Sequence, residues 1–131
     1  MPLLLYIQVK SQDQIGFGNP YSSLAADSPN LLLLDADNYS EELVIDHQLK
    51  MLDQASQVIL ILDVATDSSP GKTVRLIERL LRKKGLNLSV FLKGNNAVIE
   101  RMLKLSKTTV QSELSEQALY TAIGKLPDEH S

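Results

Sequence analysis

A single α/β domain, built on a mostly parallel sheet of four to five strands flanked by helices, follows from three features of this 131-residue chain. Short apolar runs at 1–7, 31–34, 58–62 and 88–92 have strand length. The run Val58-Ile59-Leu60-Ile61-Leu62 lacks alternation, which suits a strand covered on both faces. From the second run onward the strands are separated by segments in which apolar residues recur at helical spacing, the pattern of a parallel sheet. A domain of this size buries roughly 70% of the surface its unfolded chain exposes, so residues 1–126 are taken as one domain and 127–131 as a frayed tail.

Each element has its own signal. Met1-Pro2-Leu3-Leu4-Leu5-Tyr6-Ile7 is apolar but lacks the basic start and small-residue cleavage site of a secretory leader, so it reads as the first strand. Residues 11–30 show no periodicity; Gly16-Phe17-Gly18-Asn19-Pro20-Tyr21 marks a sharp turn, Ser22 to Ala26 a short helical turn, and the whole is a long loop or insertion at one edge of the sheet. Leu31 to Leu34 forms the second strand, ending at Asp35-Ala36-Asp37. Asn38 and Glu41 have the spacing of a capping box, and Leu43, Ile45, Leu49, Leu52 and Ala55 define the inner face of a helix from Tyr39 to Gln54.

The third strand runs into Asp67-Ser68-Ser69-Pro70-Gly71 and a basic helix. Ser69 is placed as the helix cap and Pro70 at its first position, where the missing N–H costs nothing; Gly85 ends it. Val74, Ile77 and Leu81 are expected toward the sheet, with Leu76 and Leu80 beside them. Leu88 to Leu92 is the fourth strand, Gly94-Asn95-Asn96 a turn, and Val98, Ile99, Met102 and Leu105 mark another helix. Thr108 to Gln111 is a short last strand, and Ser115 caps a final helix carrying Ala118, Ala122 and Ile123 inward.

Composition narrows the chemistry. Without cysteine there are no disulfides or thiolate metal sites, and His47 and His130 alone do not make a zinc centre; no cofactor is expected. No apolar segment approaches the ~20 residues of a membrane span, and a cytoplasmic location is expected. The formal charge of −3 conceals a division. Residues 1–71 carry two cations against ten acids, a net of −8; residues 72–107 carry ten cations against two acids, +8; the remainder carries one cation against four acids, −3. Such polarity orients partners or further copies of the chain by sign, so head-to-tail or isologous self-association, including a homodimer, is expected. Aromatic residues are not interleaved with the basic run, which argues against nucleic acid as a partner.

The junction between the third strand and the basic helix is the candidate site, because open α/β sheets bind ligands outside the carboxyl ends of their strands. It comprises Asp63, Asp67, Ser68, Ser69, Gly71 and Lys72. A phosphoryl group on Ser69 would bring roughly −1.5 to −2 charges to the start of a helix, while Asp63 and Asp67 would oppose it. Thr66 to Thr73 ends like a Walker A loop, but Thr66 replaces the first glycine. Asp63 followed eight residues later by Gly71 resembles the phosphorylation loop of a receiver domain, although Gln8-Val9-Lys10 stands where an acidic pair is needed. Asp35, Asp37, Asp63 and Asp67 all fall near strand ends, which leaves open a nucleotide- or nucleoside-binding enzyme similar to nucleoside deoxyribosyltransferases or TIR domains. Neither histidine is placed to activate Ser69, and no catalytic residue is assigned.

Between Asn38 and Ile123 the chain resembles a STAS domain, the module of anti-sigma factor antagonists and sulfate-transporter tails, in a form degenerate around the Asp-Ser-Ser turn. The resemblance rests on the early helix, the Val-Ile-Leu strand, Asp67-Ser68-Ser69, Lys84-Gly85-Leu86-Asn87-Leu88, the Gly94 turn, the helix Val98 to Leu105 and Ser115-Glu116-Gln117-Ala118-Leu119. It implies a STAS-like or flavodoxin-like sheet, a regulatory function through protein binding, a partner kinase or anti-sigma-like regulator, and Ser69 as phospho-acceptor.

Overall fold

In the computed structural model, residues 2–16, 21 and 30–111 are described. The apolar runs become parallel strands: β1 (Pro2–Val9), β2 (Leu32–Asp37), β3 (Gln57–Val64), β4 (Asn87–Gly94) and the two-residue β5 (Val110–Gln111). They form one five-stranded sheet in the order β2-β1-β3-β4-β5. The strand order is that of flavodoxin-type doubly wound sheets. Three helices follow β2, β3 and β4: α1 (Glu42–Gln54), α2 (Thr73–Arg82) and α3 (Ala97–Leu105). A single 3-10 turn, Gln12–Gln14, follows β1.

Register assigns every strand residue to a face. Ile7 lies beside Ala36 on one side and Leu62 on the other, and Leu62 lies beside Leu92. Leu3, Leu5, Ile7, Val58, Leu60, Leu62 and Val90 therefore share a face, and they pack against Ile45, Leu49, Leu52, Leu76, Ile77, Leu80, Ile99 and Leu103 of the three helices. The alternate residues Leu4, Tyr6, Ile59, Ile61 and Phe91 form a second core with Leu31, against which Tyr21 and Leu33 pack. Burial on both faces is why β1 and β3 show no alternation of apolar and polar residues. A buried leucine or isoleucine contributes roughly 1.5–3 kcal/mol relative to exposure, so the doubly covered β1 and β3 anchor the domain.

Helix boundaries differ from the sequence expectation for identifiable reasons. Asn38 does not cap α1; its side chain accepts from the Lys10 N–H at 3.2 Å and donates to the Lys10 carbonyl at 3.0 Å, extending the β1–β2 pairing past its end. Helix α1 consequently begins at Glu42, and Leu43, expected inside, is 80% exposed. Ser69 is not the cap of α2, nor is Pro70 its first residue. Pro70 is buried ahead of a turn in which the Thr73 N–H reaches the Pro70 carbonyl at 3.2 Å, and α2 starts only at Thr73. That later start turns Thr73, Leu76, Ile77 and Leu80 inward and leaves Val74 and Leu81 half-buried. A reciprocal cap does occur at α3: the Asn96 side chain accepts from Ile99 N–H while the Glu100 carboxylate accepts from Asn96 N–H. The expected final helix from Ser115, the tail and most of the 11–30 segment, including the helical turn expected at Ser22 to Ala26, lie outside the described residues.

Part of the division of charge is met within the molecule, between α1 and α2. Arg79 of α2 binds Asp53 of α1 through both carboxylate oxygens at 2.6 and 2.7 Å, and Arg75 reaches Asp46 at 3.0 Å and Glu42 at 3.6 Å. Lys83 donates to the carbonyls of Leu52, Asp53 and Ala55, placing an ammonium at the carboxyl end of α1 where the helix dipole is negative. No helix among the described residues is long and apolar enough to cross a membrane.

Candidate functional site

The chain leaves β1 toward β2 and returns across the sheet to β3, so the order of the strands reverses between β1 and β3. Outside the carboxyl ends of these two strands lies the crevice where such sheets place ligands. Asp63 occupies that point. By alternation it belongs to the face of Ile59 and Ile61, away from the three helices, and it is only 8% exposed. Its Oδ2 accepts from the Tyr6 hydroxyl and from Lys10 Nζ, each at 2.8 Å. Burial, followed by the hydrogen bond to Asp63 and its charge, pushes the Tyr6 phenol well above its ordinary value. Tyr21 meets Tyr6 edge-on, with ring centroids 5.3 Å apart, and burial and the Asp63 charge raise its phenol too.

A loop, residues 65–72, connects β3 to α2. Ala65 N–H donates to the Val9 carbonyl at 2.7 Å, carrying the β1–β3 pairing one step past the strands. Thr66, Asp67, Ser69, Gly71 and Lys72 are then exposed, Ser68 is half-buried and Pro70 is buried. Two neighbouring loops hold this segment. From the β4–α3 connection, the 2%-exposed Asn96 donates its side-chain amide to the carbonyls of Ala65 at 2.9 Å and Ser68 at 2.7 Å. From the β2–α1 connection, the Asn38 backbone packs so closely on Gly71 that a Cβ there would stand 2.5 Å from the Asn38 carbonyl oxygen. Gly71 also has φ +59°, the left-handed region that only glycine enters cheaply. Glycine is thus required by both conformation and space.

The six sequence-selected residues therefore divide. Asp67, Ser69, Gly71 and Lys72 share an exposed loop with half-buried Ser68, whereas Asp63 is buried and neutralised by Lys10. The other strand-end acids serve differently: Asp37 accepts from Tyr39 N–H at 2.7 Å to form a turn, and Asp35 is exposed on the edge strand. Among the described residues no group of three or more histidine, cysteine or acidic side chains could hold a metal ion. His47 is exposed on α1.

Sequence reasoning missed Tyr6, Lys10, Asn38 and Asn96. A signal existed for Tyr6, an isolated hydroxyl in a strand buried on both faces, which needs a polar partner. The Asn96 contacts depend on how two loops distant in sequence meet, and residue type gives only a hint of them. The chain has no match among protein-family models, curated proteins or solved structures.

Proposed function

We propose that the chain is a regulatory protein-interaction module, acting in the cytoplasm in the manner of the anti-sigma factor antagonists it resembles, with the loop from Asp67 to Lys72 as its contact surface. The observation that carries this reading is that Asp67, Ser69 and Lys72 are exposed on a backbone held from both sides by Asn96 and Asn38. A preformed loop binds a partner without the cost of ordering it, the usual advantage of a rigid recognition surface. In this reading Ser69 is the phospho-acceptor for a partner kinase. Because Ser69 does not cap α2, its phosphate acts through surface charge: it adds roughly −1.5 to −2 charges to an exposed loop that also carries Asp67 and Lys72. A basic or neutral partner surface would respond to that change in opposite directions.

The test is affinity capture from the native cell together with phosphosite mapping. A discrete partner bound by the unmodified chain, its retention altered by Ser69→Asp and by Asp67→Lys, supports the module. Equal capture by all three forms, with Ser69 never modified, refutes it.

A second reading, a degenerate receiver domain, is favoured by a separate observation: the strand order is that of receiver-type sheets and an acid, Asp63, ends the central strand in contact with a lysine. It requires Asp63, not Ser69, to take the phosphoryl group. Labelling by an acyl phosphate donor that disappears in Asp63→Asn would select it over the first reading.

A further inference from the structure

Strand β2 ends the sheet, and among the described residues no strand pairs with its side away from β1. Asn38 N–H donates to the Gln8 carbonyl at 3.1 Å, so Asn38, Ala36, Leu34 and Leu32 turn their backbone groups toward β1, and the alternate residues Asp37, Asp35 and Leu33 turn theirs outward. Side chains occupy two of the outward positions: Ser40 Oγ accepts from Asp37 N–H at 2.9 Å, and Gln48 Nε2 donates to the Asp35 carbonyl at 2.6 Å. No such contact reaches the outward groups of Leu33 among the described residues. Leu32, Leu33 and Leu34 are half-buried, while every residue of β1 and β3 is buried. An apolar edge of this kind is a template for another strand. Helix α1 prolongs the same surface. Glu42, Asp46 and Asp53 point to α2 through their ion pairs, and Ile45, Leu49 and Leu52 point to the sheet. At 3.6 residues per turn Val44 and Met51 therefore lie on the opposite flank, the one from which Gln48 reaches β2. Val44 is 44% exposed and Met51 half-buried.

We propose that two copies of the chain join through this edge, β2 against β2 in antiparallel register about a two-fold axis at Leu33, so that the sheet runs on from one copy into the other. The surface is complementary to itself. Leu33 exchanges both backbone hydrogen bonds with Leu33 of the other copy, Leu32 lies opposite Leu34, and Asp35 lies opposite Leu31, so leucines meet at the centre and the carboxylates stand apart at the ends. Moving the axis to Asp35 would set two carboxylates against each other, which favours the Leu33 register. Val44 and Met51 of each copy extend the apolar seam beside the strands. The far edge of the sheet does not repeat the contact, because β5 has only two residues; the association is isologous and closes at a dimer. This inference is independent of the loop reading, since none of its residues belongs to the 67–72 segment.

Sedimentation equilibrium of the full chain tests it, together with a spin-label measurement. The wild type is expected to reach twice the monomer mass as its concentration rises and nothing larger. High salt should tighten the dimer, because both copies bring Asp35 and Asp37 to the seam. Val44→Glu, at a partly exposed position in the first turn of α1, should keep the wild-type melting temperature and raise the dimer dissociation constant about tenfold or more, since it sets a carboxylate into the apolar seam. The chain has no cysteine, so a nitroxide on Asp35→Cys is a unique label. In the proposed register two such labels are attached roughly 14 Å apart, four residues along the strands and one strand across, and should broaden each other's spectrum. A label on Arg101→Cys, exposed on α3 beyond β4, should show no broadening. A wild type that stays monomeric at every concentration, a dimer that salt dissociates, a Val44→Glu variant that dimerises as tightly as the wild type, or labels at position 101 that broaden as much as those at 35 would each overturn the proposal.

Discussion

The side-chain amide of Asn96 donates to the carbonyl of Ser68 across 2.7 Å, tying the start of α3 to the exposed serine loop that follows β3. The same amide nitrogen reaches Ala65, and the carbonyl end of the side chain caps α3. One buried residue thus fixes both a helix terminus and a candidate recognition surface.

Removing it leaves two carbonyls and one helix N–H without their partner. Asn96→Ala should cost about 2–4 kcal/mol, above a simple cap deletion, because buried groups are left unpaired. Urea unfolding measures the loss, and amide hydrogen exchange should show residues 66–72 losing protection first. A loss below about 1 kcal/mol with unchanged exchange would mean the loop is held by other contacts.

Gly71 and Gly85 offer a matched comparison. Both have positive φ, +59° and +75°, but a Cβ at Gly85 meets nothing within 4 Å while one at Gly71 runs into the Asn38 backbone. Gly85→Ala should lose about 1–2 kcal/mol, the cost of the left-handed conformation alone. Gly71→Ala should lose clearly more and should also disturb the Asn38 contact with Lys10, visible as chemical-shift changes at the ends of β1 and β2.

The cationic contacts between α1 and α2 should rank by environment. Lys83, which gathers three carbonyls at the end of α1, should cost about 1–2 kcal/mol when replaced by methionine. Arg79→Ala, which breaks an exposed pair, should cost no more than about 1 kcal/mol and lose most of that effect in high salt. Equal costs would show that the capping contacts of Lys83 contribute little.

How far residue patterns reach is evident in these positions. The strands and the parallel sheet were legible because β1 and β3 are buried on both faces, which leaves unbroken apolar runs in the sequence. The starts of α1 and α2 were not. Asn38 and Ser69 have the chemistry of caps, but tertiary contacts assign Asn38 to the backbone of Lys10 and place a buried proline and a left-handed glycine between Ser69 and its helix. The loop was found as a strand-to-helix junction. Its division into an exposed serine side and a buried Asp63 side depended on a β3 register that only pairing with β1 defines.

Tyr6 gives a pH signature. Its folded-state pKa is raised above the unfolded value of about 10, so the stability it contributes is complete below about pH 10 and declines as the pH rises from there toward the folded value. Tyr6→Phe should flatten the alkaline decline in unfolding free energy relative to wild type. It should also lower stability near neutrality by roughly 1.5–3 kcal/mol, since the charged Asp63 loses a buried hydrogen-bond donor. Parallel alkaline profiles for the two proteins would indicate that the Tyr6–Asp63 contact is not kept in solution.

Photo-crosslinking from two exposed positions most directly tests whether the loop is the working surface. A photoreactive residue at Ser69 and another at Lys84, which follows the far end of α2, should behave differently in the native cell. The expected result is a discrete adduct with one protein from position 69 and none from position 84. Adducts of the same protein from both positions, or from 84 alone, would contradict the assignment of the Asp67 to Lys72 loop as the partner-binding surface.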